Sequence, residues 1–186
     1  MSDENLYTMF HRATEAFPEQ AAVVFEGRSL TYAALDRLVL SVATGLADLG
    51  VQPGDRVVFY APNSPELLAT YFACAYLGAV FAPVNPVFRA REMHYICENA
   101  EARVSIIHRD KLEDFEAFES AAQRAESTVV LDELDAPSVR DDGRRSFATL
   151  TAEARPPGQH ETAPEDPVLI CYTSGTTSTP KPVLLS

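Results

Sequence analysis

The hydroxyl-rich stretch near the end of the chain is the strongest candidate for chemistry. Six of the seven residues from Thr173 to Thr179 carry hydroxyl groups, the seventh is Gly175, and Lys181 follows between two prolines. Small residues let backbone N–H groups approach an anion, hydroxyls add hydrogen-bond donors, and lysine adds a positive charge. These residue types and their spacing predict a site for a polyphosphate. A mobile loop that binds nothing has a similar composition and stays the alternative.

Apolar runs on both sides of this stretch predict the elements that hold it. Residues 168–172 form a continuous apolar run that is typical of a buried strand, and residues 183–185 predict a second strand. The stretch is not the phosphate loop of common NTPases. That motif needs a second glycine before the lysine and a Ser or Thr after it, whereas Pro182 follows Lys181 here.

The segment from Tyr172 to Ser186 resembles the phosphate-loop signature of the adenylate-forming superfamily, which includes acyl-CoA synthetases, peptide-synthetase adenylation domains and firefly luciferase. The family pattern is Tyr-Thr-Ser-Gly-Thr-Thr-Gly-x-Pro-Lys-Gly-Val-x-x-Ser. This chain matches it at residues 172–177, 180, 181, 183 and 186, with Ser178 and Pro182 where the family has glycine. Residues 30–32, 50–57 and 77–86 are similar to other segments of the family, so the resemblance extends from about residue 5 to residue 186.

Members of this superfamily activate a carboxylate with Mg-ATP to an acyl-adenylate and then pass the acyl group to a thiol, often that of CoA. The resemblance implies that Thr173 contacts Mg²⁺. It implies no catalytic residue within these 186 residues, because the catalytic lysine and the adenine pocket belong to later parts of such enzymes. By the same resemblance, the ATP phosphates lie against six residues: Thr173, Ser174, Gly175, Thr176, Thr177 and Lys181.

The resemblance therefore implies the N-terminal part of an ATP-dependent acyl-CoA synthetase similar to fatty-acid-CoA ligases. Its small-molecule partners are a carboxylate, ATP and CoA, with Mg²⁺ as the metal. We expect the 186-residue chain to be inactive by itself. The alternatives are part of an aryl-CoA ligase, part of a peptide-synthetase adenylation domain, and a non-catalytic remnant that only folds or associates.

Composition narrows the classes of partner. An apolar content of 46% and a charged content of 23% are ordinary for a globular domain. Fifteen basic residues against 27 acidic ones give a net charge of −12, which disfavours nucleic acids and anionic membranes. The sequence has neither a signal-peptide pattern nor an apolar run long enough to span a membrane. Three isolated cysteines are typical of a reduced cytoplasmic protein, the location we expect.

Alternating strand and helix patterns predict an α/β fold with a mainly parallel sheet flanked by helices. Predicted strands at 56–60, 79–84, 103–108 and 128–131 alternate with predicted helices at 65–77, 88–100 and 111–124. The helix at 65–77 is apolar on nearly every side, so we expect it to be among the most buried elements. A helix at 5–17, a hairpin at 21–31 and a helix that ends near Gly50 precede these elements.

This pattern suggests a division into three parts. Residues 1–131 form an α/β subdomain, residues 132–167 form an irregular connection with one short helix near 146–154, and residues 168–186 form a strand, the phosphate loop and a strand. The apolar residues 183–185 would then present an open sheet edge, so we expect the chain to self-associate.

Overall fold

The computed structural model describes residues 5–117, 127–132, 144–152, 154–163, 165–173 and 180–186. It contains five α-helices, nine strands and two short 3-10 helices within those residues. The helices are α1 (Leu6–Ala16), α2 (Tyr32–Asp48), α3 (Pro65–Leu77), α4 (Ala90–Ala100) and α5 (Leu112–Glu116). The strands are β1 (Ala21–Phe25), β2 (Arg28–Thr31), β3 (Arg56–Tyr60), β4 (Val80–Pro83), β5 (Val104–His108), β6 (Ser127–Leu131), β7 (Arg145–Ser146), β8 (Leu169–Thr173) and β9 (Lys181–Leu185). The 3-10 helices are Arg109–Lys111 and Phe147–Thr151.

The main sheet has seven strands among the described residues, in the order β7-β6-β5-β3-β4-β8-β9. Its neighbouring strands are parallel from β7 to β8, and only the last pair, β8 and β9, is antiparallel. Strands β1 and β2 form a separate antiparallel hairpin, as the sequence predicts for residues 21–31. The prediction of a mainly parallel sheet is confirmed.

Helices cover both faces of the sheet, as the sequence predicts. Side chains alternate along β3, so Val57 and Phe59 belong to the core under α1, α2 and α3, whereas Val58 and Tyr60 belong to the core under α4 and α5. The helix α3 is among the most buried elements. Seven of its 13 residues are buried, in agreement with its uniformly apolar sequence.

Short-range chemistry sets where the helices begin. The hydroxyl of Thr31 accepts a hydrogen bond from the N–H of Ala34 at 3.2 Å at the start of α2. Ser64 does the same for α3, with proline at the first helical position. The helix α4 begins two residues later than the pattern at 88–100 predicts, because the side chain of Glu92 accepts the N–H of Arg89 at 3.1 Å and caps the helix there.

The chain crosses from β6 to β8 over the helices α2 and α3. Strand β7 and the buried 3-10 helix Phe147–Thr151 lie within the 132–167 stretch, where the sequence predicts one short helix and no strand. Further on, the hydroxyl of Tyr76 donates to the carbonyl of Pro157 at 2.6 Å, and the N–H of His160 donates to the carbonyl of Tyr76 at 2.9 Å. These contacts hold the crossover against the helices, and β8 follows it.

The helix predicted at 111–124 is only partly described. Its described part is α5, where Phe115 is buried and Leu112 is half-buried against the sheet. Phe118, which the pattern also places on the inner side, lies outside the described residues.

Candidate phosphate-binding site

Strands β8 and β9 bring the two ends of the hydroxyl-rich stretch together. Thr173 is the last residue of β8, Lys181 is the first residue of β9, and the two are paired across the antiparallel ladder. The hydroxyl of Thr173 donates to the carbonyl oxygen of Lys181 at 3.4 Å, which is a long hydrogen bond. Thr173 and Lys181 therefore occupy neighbouring positions in the sheet.

This stretch follows the carboxyl end of a strand in a parallel array. β8 runs parallel to β4, so Thr173 lies at the sheet edge where β3, β4, β5 and β6 also end. In open α/β sheets, ligands bind in the crevice outside the carboxyl ends of the strands. The position of Thr173 at this edge agrees with the phosphate-binding site that the residue types predict.

The structure describes two of the six predicted phosphate-binding residues. Thr173 and Lys181 both have exposed side chains, so each is accessible to a ligand. The other four, Ser174, Gly175, Thr176 and Thr177, lie outside the described residues, as does Ser178. Their predicted contacts with phosphate stay predictions.

Buried residues anchor both ends of the stretch. Pro180 is buried just before Lys181, and Tyr172 is only 8% exposed just before Thr173. Burial raises the pKa of Tyr172 to about 12, with smaller contributions from Tyr95 and Cys97, so its hydroxyl is a neutral donor at physiological pH. This hydroxyl donates to the side-chain oxygen of Asn99 at 2.9 Å.

Asn99 has no role that the sequence signals. It is the last residue but one of the amphipathic helix α4, 73 residues before its tyrosine partner. Pro182 faces Tyr172 across the ladder. It lies in the outermost strand of the described sheet, where a missing N–H is tolerated.

The only metal contribution that the sequence predicts here is one hydroxyl oxygen from Thr173. No group of three or more His, Cys, Asp or Glu side chains within the described residues could hold a metal ion. Mg²⁺ commonly binds through substrate phosphates and water with only one or two protein ligands. A single exposed hydroxyl therefore fits a Mg²⁺ ion that arrives with a nucleotide, and it does not fit a resident metal site.

The AMP-binding enzyme family matches residues 10–186 of this chain. The chain therefore belongs to this family. Among the described residues, no helix combines the length and the apolar character that crossing a bilayer requires.

Similar proteins include two bacterial ligases. An indoleacetate–CoA ligase from Aromatoleum aromaticum is 36% identical over 171 residues, which are 91% of this chain and 32% of that protein. A feruloyl-CoA synthase from Amycolatopsis sp is 34% identical over 186 residues, 100% of this chain and 34% of that protein. The chain thus spans about a third of the length of the relatives that it matches.

Solved structures show the same fold. An anthranilate CoA ligase in complex with anthranoyl-AMP superimposes with a TM-score of 0.89 and 25% identity, over 99% of this chain and 36% of that chain. An acetoacetyl-CoA synthetase from Streptomyces lividans gives a TM-score of 0.85 and 28% identity, over 98% of this chain and 30% of that chain.

Proposed function

We propose that this chain is the ATP-phosphate-binding part of an AMP-forming acid–thiol ligase. The observation that carries the proposal is the pairing of Thr173 with Lys181 at the carboxyl edge of the parallel sheet. Both residues belong to the segment whose sequence matches the family's phosphate loop. Family membership over residues 10–186 supports the same assignment.

The proposed role of this site is to hold and neutralise the two phosphates that leave as pyrophosphate. In the reaction, the substrate carboxylate attacks the α-phosphorus of ATP, the bond to the bridging oxygen breaks, and pyrophosphate carries the charge away. Hydrogen-bond donors and a positive charge fixed before the reaction stabilise that charge as it develops. Lys181 supplies the charge, and residues 173–177 supply the donors in this proposal. The hydroxyl of Thr173 is the proposed contact for the Mg²⁺ of Mg-ATP, which screens the phosphate oxygens.

Two acid classes compete as the substrate. The first is a fatty acid, the class that the resemblance to fatty-acid-CoA ligases implies, and a fatty acid–acyl-carrier-protein ligase is 34% identical to this chain over 181 residues. The second is an aromatic acid, and the names of similar proteins favour it: they include an indoleacetate–CoA ligase, feruloyl-CoA synthases and 4-coumarate–CoA ligases. CoA is the proposed acyl acceptor in both cases. We further propose a cytoplasmic location, with residues 1–131, 132–167 and 168–186 as the three parts of this stretch.

The test is acid-dependent exchange of pyrophosphate into ATP by the protein that the complete reading frame encodes. A panel of one medium-chain fatty acid, indoleacetate and ferulate separates the two acid classes. Replacing Lys181→Ala should reduce exchange by one to two orders of magnitude, because one charged contact to phosphate typically contributes about 1.5–3 kcal/mol. Arg37→Ala removes the same charge from an exposed position on α2 and should leave exchange unchanged.

Equal exchange rates for Lys181→Ala, Arg37→Ala and the unmodified protein would refute the assigned role of Lys181. The absence of exchange with every acid in the panel would count against the ligase proposal itself. We expect the 186-residue chain alone to bind ATP with millimolar or weaker affinity and to catalyse no pyrophosphate exchange. A few phosphate contacts do not offset the entropy lost when a flexible nucleotide is fixed.

A further inference from the structure

We propose that Tyr172 and Asn99 are positioning residues of the phosphate-binding site. Their hydrogen bond connects β8 to the C-terminal end of α4. We call residues 172 and 173, the last two of β8, the loop entrance, and the geometry of the described residues indicates that this bond holds it in place. The importance of the bond for ATP rests on the proposed function.

Tyr172 is the last inward-pointing residue before the loop. Its ring packs in the core beneath α4 and α5, and its hydroxyl ends on Asn99 at 2.9 Å. Thr173, which follows directly, is exposed. A tyrosine held at both its ring and its hydroxyl has little side-chain freedom left, so it also restrains the backbone to which Thr173 is attached.

The other end of the bond is itself held firmly. Arg56, at the start of β3, donates from Nε to the carbonyl of Ala100 at 2.6 Å and from Nη2 to the carbonyl of Glu101 at 2.9 Å. It also pairs with the Glu101 carboxylate at 3.3 Å. These bonds satisfy carbonyl groups at the end of α4 that have no partner within the helix. The position of Asn99 is therefore fixed relative to β3, in the middle of the sheet.

These hydrogen bonds connect the central strand β3 to the loop entrance. Arg56 holds the end of α4, and Asn99 at that end holds Tyr172, which directly precedes Thr173. β8 pairs with the interior strand β4 only at Phe81 and Leu169, and its longer ladder is with β9, the last strand of the described sheet. The hydrogen bond of Tyr172, near the carboxyl end of β8, therefore supplements the short ladder with β4 near its amino end.

The effect of breaking the tie should be moderate and local. Asn99 is exposed, so a hydroxyl that loses this partner has water within reach. Loss of one neutral hydrogen bond typically changes an equilibrium by about fivefold. If the ordered loop entrance is the ATP-competent state, the apparent affinity for ATP falls by the factor by which that state is depopulated.

Amide hydrogen exchange of the 186-residue chain tests the tie without reference to activity. Tyr172→Phe keeps the buried ring and removes only the hydroxyl. We expect about fivefold faster exchange in 169–173 and 181–185, and unchanged exchange in α2 and α3. Tyr7→Phe is the matched control: Tyr7 is also buried, at 3% exposed, and its hydroxyl donates to the Asp36 carboxylate on α2 at 3.1 Å, outside the crossover and β8. This control should leave exchange in 169–173 and 181–185 unchanged.

Variants of the acceptor separate the hydrogen bond from general packing. Asn99→Ala should reproduce the effect of Tyr172→Phe, and the double variant should add nothing further. Asn99→Asp keeps an oxygen acceptor in the same place, so exchange in 169–173 and 181–185 should stay as slow as in the unmodified chain. In the complete protein, both single losses should raise the KM for ATP by about fivefold and leave the KM for the acid unchanged.

Unchanged exchange at the loop entrance in Tyr172→Phe, or equal acceleration in every segment, would overturn the inference. So would an unchanged KM for ATP in an active protein. If the complete protein shows no acid-dependent exchange, the proposed function fails. The hydrogen-exchange comparison then still decides whether the bond positions the loop entrance.

Discussion

Gly45 offers a sharp test of the packing that leads the chain to the site. It lies inside α2, where replacement of glycine by alanine ordinarily stabilises a helix by about 1 kcal/mol. Here the added Cβ would lie 2.5 Å from the Cα of Leu150 and 2.8 Å from its Cβ. No rotamer of Leu150 relieves a contact with its own backbone, so the 3-10 helix Phe147–Thr151 would have to move. We therefore predict that Gly45→Ala destabilises the protein.

The size of the effect follows from two destabilising contributions and one stabilising contribution. Forcing extra atoms into a packed interior costs about 1–3 kcal/mol. Movement of the 3-10 helix also exposes part of Leu150 and Phe147, which are 2% and 5% exposed, and a fully buried side chain of this kind contributes about 1.5–3 kcal/mol. After the gain in helix propensity, the net loss should be about 1–2 kcal/mol. For a domain of this size, that lowers the Tm by about 2–8 °C.

Urea denaturation and thermal unfolding of the 186-residue chain measure this change. Arg37→Ala is the control, because it places alanine at an exposed position of the same helix and should change the free energy of unfolding by less than about 0.5 kcal/mol. If Gly45→Ala raises the Tm above that of the unmodified chain, the 3-10 helix does not lie against α2 as described. The close contact between Gly45 and Leu150 would then be refuted.

Three further predictions concern the loop, the buried tyrosines and the sheet edge. In the complete protein, replacing both Ser178→Gly and Pro182→Gly should increase acid-dependent pyrophosphate exchange, because the freer backbone can close on the phosphates; no gain would contradict this. Burial, with a smaller contribution from Asp114, raises the pKa of Tyr60 from 10.0 to about 12. A raised folded-state pKa gives stability that is fully present below pH 10 and lost as the pH rises through about 12. Tyr60→Phe should therefore flatten the curve of unfolding free energy against pH between pH 10 and 12. An equally steep curve in the variant would contradict the assignment. Leu184 is 60% exposed in the outermost strand, so Leu184→Lys should reduce self-association in sedimentation velocity; a chain that is monomeric before the change would contradict the expected association.

Much of the fold follows from local sequence patterns. The hydroxyls of Thr31 and Ser64 each accept the N–H of the residue three positions ahead and so cap the helices that begin directly after them, which the sequence alone indicates. The alternation of apolar strands with helices indicates a parallel α/β sheet before any contact is known. The apolar runs before Thr173 and after Lys181 likewise predict β8 and β9, and the structure pairs these two residues.

The strand order and the contacts between distant segments needed the tertiary structure. β3 lies between β4 and β5, and the charged stretch around Arg145 forms a two-residue strand beside β6 because a neighbouring strand is available there. Asn99 acquires its partner from a segment 73 residues away, and Gly45 acquires the Leu150 backbone, 105 residues away. Capping and periodicity depend on neighbours within one or two turns, so they are visible in the sequence. A hydrogen bond or a close backbone contact between distant residues exists only once the sheet has brought their elements together.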